Sequence, residues 1–172
     1  MPTQSTWLPV RPLTAQAFAP FGEVIELESG GERVSINGGT SMRHHTLACP
    51  TAAAPGALAL SLFDAAATPQ PCALQCMERH HLGSQSFTPF GAALQMLVVV
   101  ADARLLAGQL APQHLRAFVS NGRQGINLHA GVWHHPLLSL QAGAWLVVDR
   151  IAAAVDCEVQ PLAAWRLRCA TR

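Results

Sequence analysis

Short runs of β-favouring residues, broken repeatedly by glycine, proline and asparagine, dominate the pattern along the chain. The runs are Glu23 to Leu27, Arg33 to Asn37, Leu58 to Phe63, Leu74 to Arg79, Leu94 to Ala101, Leu115 to Ser120, Leu137 to Leu140, and Trp145 to Asp149. Gly30-Gly31, Gly38-Gly39, Pro69 with Pro71, Asn121-Gly122 and Ala142-Gly143 separate them. Such residues end strands by tolerating positive φ or by lacking a backbone donor. Many short strands at this spacing predict an all-β sandwich or barrel. One short helix is expected over Ala15 to Phe18, capped by Thr14 and ended by Pro20 and Gly22. The alanine-rich stretches Thr51 to Ala57 and Ala152 to Ala154 read equally as loop or helix. No repeat or linker divides the sequence, so one domain over residues 1–172 is expected.

Composition narrows the function classes. Half the residues are apolar and 12% are charged, which is the make-up of a chain with a packed core. A net charge of +1 gives no electrostatic case for binding nucleic acid or an anionic membrane. No apolar run is long enough to span a bilayer. The first residues lack the basic segment and apolar stretch of a secretory signal. Five cysteines in irregular spacing read as reduced thiols, and the expected compartment is the cytoplasm. All eleven basic residues are arginine, and tyrosine is absent. A lysine Schiff base is therefore excluded, and proton chemistry falls to His, Glu, Asp or Cys.

Two clusters carry candidate chemistry. Asn127 to Pro136 holds three histidines, His129, His134 and His135, with Gly131 permitting a tight turn between the first two. Met77 to Gln85 holds Glu78, His80 and His81. If the Leu74 run continues as a strand, Glu78 and His80 share a face, because side chains alternate with period two. A carboxylate beside an imidazole makes an acid–base pair or two metal ligands. For the same reason, only one of His80 and His81, and one of His134 and His135, is expected to enter a pocket.

The arrangement E-x-H-x(4)-Q followed by H-x-G-x-x-H resembles the two motifs of the cupin superfamily. Glu78 stands where the superfamily has a first histidine, Gln85 where it has glutamate, and His129 where it has proline. A closer resemblance, to the ureidoglycolate lyase family, covers nearly the whole chain. It rests on an ordered set of blocks: Arg11 to Thr14, Phe18 to Ile25, Ile36 to Gly39, Arg43 to His45, and Glu78 to His80 with Leu82 to Phe87. Leu115 to Phe118, Asn121 to Asn127, Gly131 to Leu137, and Asp149-Arg150 complete the set. The chain departs from the family at Ile151 to Ala154, where a glycine pair is usual, and at Thr46, where aspartate is usual.

The resemblance implies a cupin-type β-barrel (jelly roll) with a few short helices. It also implies a homodimer that cleaves ureidoglycolate to glyoxylate and urea in allantoin breakdown. Splitting this hemiaminal needs a base for the hydroxyl proton, an acid for the leaving nitrogen and a cation for the carboxylate. His134 and Glu78 are expected to transfer protons, with His80 and His129 lining the same pocket. Arg43 or Arg79 is expected to hold the carboxylate, and Gln85 and Asn127 to contact the ureido group. Trp133 is counted as a substrate contact, with a core or rim position as its other reading. A divalent metal ion, if bound, is expected on Glu78, His80 and His134. The competing readings are a metal-dependent cupin isomerase or oxygenase and a non-catalytic cupin that binds a small organic acid. Dimerisation rests on the resemblance, and a physical case for it requires an exposed apolar strand.

Overall fold

The computed structural model describes residues 6–28, 31–162 and 167–170. In chain order the strands are β1 (Thr6–Trp7), β2 (Val10–Pro12), β3 (Gly22–Ile25), β4 (Glu32–Ile36), β5 (Ser41–His45) and β6 (Ala57–Ala65). They continue as β7 (Cys72–Ala73), β8 (Cys76–Arg79), β9 (Gln85–Phe90), β10 (Met96–Ala101), β11 (Arg116–Val119) and β12 (Gly125–Leu128). The last are β13 (Trp133–His134), β14 (Leu138–Ser139), β15 (Gly143–Ile151), β16 (Glu158–Pro161) and β17 (Leu167–Cys169). The single α-helix among the described residues, α1 (Ala15–Phe18), is capped as expected: the Thr14 hydroxyl accepts from the Ala17 N–H at 3.3 Å. Both alanine-rich stretches are non-helical. Of the glycine turn at Gly30-Gly31, Gly30 lies outside the described residues.

Two sheets build the expected all-β jelly-roll sandwich. One has the order β3-β12-β9-β15-β6, and the other β16-β8-β13-β10-β11-β2 with β14 on β10. Between them lies an apolar core that includes Phe18, Val24, Phe87, Val98, Val100, Phe118, Ile126, Trp145 and Val147. A second core, with Met77, Leu97, Val99, Ala117, Trp133 and Leu162, covers the back of the larger sheet. Cys72 of β7 and Cys169 of β17 close over it from the small sheet β1-β17-β7. Each fully buried aliphatic or aromatic side chain contributes roughly 1.5–3 kcal/mol of transfer free energy. The two layers of burial explain why β10, Met-Leu-Val-Val-Val-Ala, is apolar without alternation: both its faces are covered.

Register decides which residues face the sandwich interior. Asn127 pairs with Ser86 and with Glu23, while Leu128 pairs with Gln85. Directly paired residues share a face, so Gln85, Phe87, Leu128 and Ile126 point inward and Ser86, Asn127 and Glu23 point outward. β6 gives a less expected result. Leu58, Leu60 and Leu62 lie on the outer face, 44%, 71% and 57% exposed, while Phe63 packs inward against Phe87 with ring centroids 6.2 Å apart.

Several strands escaped the sequence pattern. β9 opens with Gln-Ser and contains Pro89, and β13 and β16 are too short or too polar to show alternation. Among the described residues, β5 is a polar, exposed arm paired only with β4.

Candidate active site

β8 and β13 bring the candidate chemistry together. Glu78 and His134 are directly paired residues of these antiparallel strands. Their side chains meet inside the sandwich, with His134 Nε2 3.5 Å from Glu78 Oε1. His80, two residues beyond Glu78 and therefore on the same face, stacks at a tilt on His134 with centroids 5.5 Å apart. One ligand-capable atom from each of Glu78, His80 and His134 lies within 4.8 Å of the others. Gln85 joins from the facing sheet, its Oε1 3.1 Å from His134 Nε2 and its Nε2 3.4 Å from Asp149 Oδ2. A cavity of about 230 Å³ opens here, lined by His80, Gln85, Asp149, Arg150 and the loop from Ala152 to Cys157. Two larger grooves, about 700 and 730 Å³, flank β1 and β2 but have no acid, histidine or cysteine on their walls.

The hydrogen bonds fix which nitrogen of each imidazole carries a proton. His134 Nδ1 lies 2.9 Å from the Val132 carbonyl, which can only accept, so Nδ1 carries a proton. Its Nε2 then faces two further acceptors, Gln85 Oε1 and Glu78 Oε1. Satisfying both requires an imidazolium, or a cation shared with Glu78. His80 Nδ1 lies 2.5 Å from the Asp156 carbonyl, while its Nε2 is buried without a partner. Burial pushes the Glu78 carboxyl upward, but the His134 hydrogen bond and the charges of His134, His80 and His135 outweigh it. The net effect holds Glu78 below its ordinary value of 4.5. The Cys157 thiol, raised by burial and by Glu78, stays protonated and donates to Glu78 Oε2 at 3.8 Å. An orphaned imidazole nitrogen, an anionic carboxylate and a second imidazole with its far nitrogen anchored are a donor set that fits a divalent cation.

Five expected site residues lie elsewhere. Arg79 follows Glu78 and points to the back of the sheet, where its guanidinium ion-pairs with Glu158 at 2.7 Å and stacks 4.3 Å from the Trp133 ring. It also donates to the carbonyls of Ala103 and Leu105. Trp133, adjacent to His134, is fully buried on that same face, and its Nε1 donates to Leu105 O at 2.8 Å. Neither side chain is free for a substrate. Asn127 faces outward, donating to Glu23 Oε2 at 2.7 Å and accepting from Ser86 Oγ at 2.6 Å. His129 also leaves the cluster, with its Nε2 2.9 Å from Glu23 Oε1. The turn at Gly131 (φ 80°) carries the chain from one sheet to the other, so the five-residue spacing of His129 and His134 spans two layers. Arg43 is exposed on the β4–β5 arm with no hydrogen bond or ion pair among the described residues.

Sequence reasoning also missed contributors. Asp149 and Arg150 enter the sequence pattern only as its closing block, yet Asp149 reaches Gln85 while Arg150 donates to Ala53 O at 2.9 Å and Pro55 O at 2.5 Å. Adjacent strand residues face opposite ways, and that alternation was the available signal. Of the adjacent histidines, His81 points away to Glu158 at 2.8 Å, and His135 donates to the Pro136 carbonyl.

The model of the ureidoglycolate lyase family matches residues 5–167. The ureidoglycolate lyase of Stutzerimonas stutzeri (strain A1501) is 47% identical over 153 residues, 88% of this chain and 87% of that protein. Those of Azotobacter vinelandii (strain DJ / ATCC BAA-1303), 44% identical over 153 residues, and Burkholderia cepacia, 45% over 163 residues, cover 88% and 93% of this chain. In both, 89% of the relative is matched.

Proposed function

The chain belongs to the ureidoglycolate lyase family, and from that premise we propose that it is a single-domain lyase that cleaves ureidoglycolate to glyoxylate and urea. The carrying observation is the triad Glu78, His80 and His134, with one imidazole nitrogen bare and the other facing acceptors. His80 Nε2 takes the hydroxyl proton as that oxygen becomes the glyoxylate carbonyl. The carbon–nitrogen bond breaks, its electron pair leaves with the ureido nitrogen, and His134 Nε2–H protonates it. One proton is taken and one is given, so returning a proton from His80 to His134 resets the site. Glu78, held ionised, is a weak base and serves to stabilise the charge on His134. Gln85 orients His134 and offers its amide to the ureido group.

Arg79 is committed elsewhere, so Arg150, the one arginine on the cavity wall among the described residues, becomes the candidate partner of the substrate carboxylate through the guanidinium N–H groups that its bonds to Ala53 and Pro55 leave over. Arg43, unengaged among the described residues, is the alternative.

A metal-assisted form is the second reading, favoured by the orphaned His80 nitrogen. Glu78, His80 and His134 would hold the ion, which would supply polarisation of the substrate oxygens.

The protein is further proposed to be a homodimer, supported by the exposed row Leu58, Leu60 and Leu62 on the outer sheet face. Its five free thiols accord with a cytosolic setting. No helix among the described residues is long and apolar enough to cross a membrane.

The test is product release from racemic ureidoglycolate, with glyoxylate, urea and ammonia measured with and without a chelator. Glyoxylate and urea in equal amounts support the lyase, and loss of rate with chelator selects the metal-assisted form. Ammonia without urea, or no product, overturns it.

A further inference from the structure

The loop between β15 and β16 reaches the active site through Cys157 and, twice over, through Asp156. The Asp156 carboxylate accepts the backbone N–H groups of His81, at 3.1 Å to Oδ1, and of Leu82, at 2.5 Å to Oδ2. These donors lie just past the end of β8, so the side chain pins the loop across the strand that carries Glu78 and His80. The Asp156 main-chain carbonyl, placed by that clamp, faces His80 Nδ1 at 2.5 Å. A carbonyl has no proton to give, so it holds the hydrogen of His80 on Nδ1 and leaves Nε2 bare. Nε2 is the buried nitrogen without a partner. The same loop, from Ala152 to Cys157, lines the cavity.

We propose that Asp156 is the positioning residue of the site: its carboxylate closes the loop onto the end of β8, and its carbonyl fixes His80 in the tautomer whose Nε2 can accept a proton or a metal ion. The inference rests on the triad reading in that it gives His80 a use, but the tautomer is a property of the protein that holds whatever the substrate. A bare Nε2 is required both for general-base action and for ligating a cation, so the same residue serves either form. It also gives the loop a function that its departure from the family at Ile151 to Ala154 leaves intact: the anchor lies after the altered residues.

The experiment is long-range proton–nitrogen correlation of the imidazole rings in nitrogen-15-labelled, chelator-treated protein, with His80→Gln identifying the signal that belongs to His80. The expected wild-type spectrum has a protonated Nδ1 and an unprotonated Nε2 on His80. In Asp156→Ala the two nitrogens average toward mixed tautomers, and kcat falls about ten- to a hundred-fold, as for other groups that orient a functional histidine. Asp156→Asn keeps one acceptor oxygen for two N–H donors and is expected between the two in both readouts. It also serves as the test variant if Asp156→Ala fails to fold. A wild-type His80 protonated at Nε2, or a tautomer unchanged in both variants, overturns the proposal. A correct tautomer in a protein that does not turn over ureidoglycolate leaves this inference standing and removes the substrate assignment instead.

Discussion

Glu78 and His134 face each other as directly paired residues of neighbouring antiparallel strands, with carboxylate and imidazole 3.5 Å apart inside the sandwich. Residues so paired are held at a separation set by the sheet itself, which makes the contact a property of the backbone register as much as of the side chains.

Removing either partner is expected to disable the site. His134→Gln and Glu78→Gln should each lower kcat by about 10²–10⁴-fold, the usual contribution of a positioned proton-transfer group or its charge partner. The double variant should be little worse than the worse single one, because the groups act as a unit. Steady-state kinetics on the three variants checks this, and additive losses would show that the two residues work separately.

His135 supplies a pH dependence of stability. Burial, the largest influence, holds its pKa below the ordinary 6.5, against the opposing Pro136 hydrogen bond and the Glu78 charge. The unfolded chain therefore binds this proton more readily than the folded one. Stability from this group is complete above pH 6.5 and is lost as pH falls from there through the depressed folded value. His135→Gln should flatten the acid limb by no more than about 1.4 kcal/mol per pH unit, the limit for one proton. Urea unfolding at a series of pH values measures it, and an unchanged slope would refute the assignment.

Trp133 should matter to stability and not to substrate. Its ring is fully buried beneath Arg79, on the sheet face opposite the cavity. Trp133→Ala is expected to cost about 3–5 kcal/mol, while Trp133→Phe, which keeps most of the packing, should leave KM within about two-fold because a residue outside the pocket adds no substrate binding energy. A large rise in KM for Trp133→Phe would return this residue to the substrate pocket.

Gln85 and Asn127 should part company. Both are buried amides, but Gln85 reaches His134 and Asn127 reaches Glu23 on the outside of the sheet. Gln85→Leu is expected to depress kcat, because the leucine leaves His134 Nε2 with only the more distant Glu78 oxygen as acceptor. Asn127→Ala should instead lower unfolding free energy by about 1–3 kcal/mol through the stranded Ser86 and Glu23 groups, with kcat kept. Melting curves alongside kinetics separate the two, and equal kinetic defects would contradict the register.

The alternation rule that placed Glu78 with His80 also carried the information that Arg79 faces the other way, and that Trp133 cannot share a pocket with His134. Those two corrections were legible in the sequence. The positions of Asn127 and His129 were not. Knowing that Asn127 points outward requires the pairing of β12 with β9 and β3, and strand pairing across 41 or 104 residues of separation leaves no local pattern. The leucines of β6 mislead for a related reason: alternation shows that Leu58, Leu60 and Leu62 share a face, but not which face meets the core.

The sequence by itself determined the all-β class, the cap at Thr14, the shared face of Glu78 and His80, and the family, because each rests on local periodicity, turn chemistry or ordered motifs. Tertiary structure alone decided the rest: which arginine borders the cavity, which nitrogen of His80 is bare, and how a loop from beyond β15 comes to hold it. Those facts depend on contacts between segments far apart in the chain. Such contacts are selected by the packing of two sheets around a common core, and no single stretch of sequence contains both sides of them.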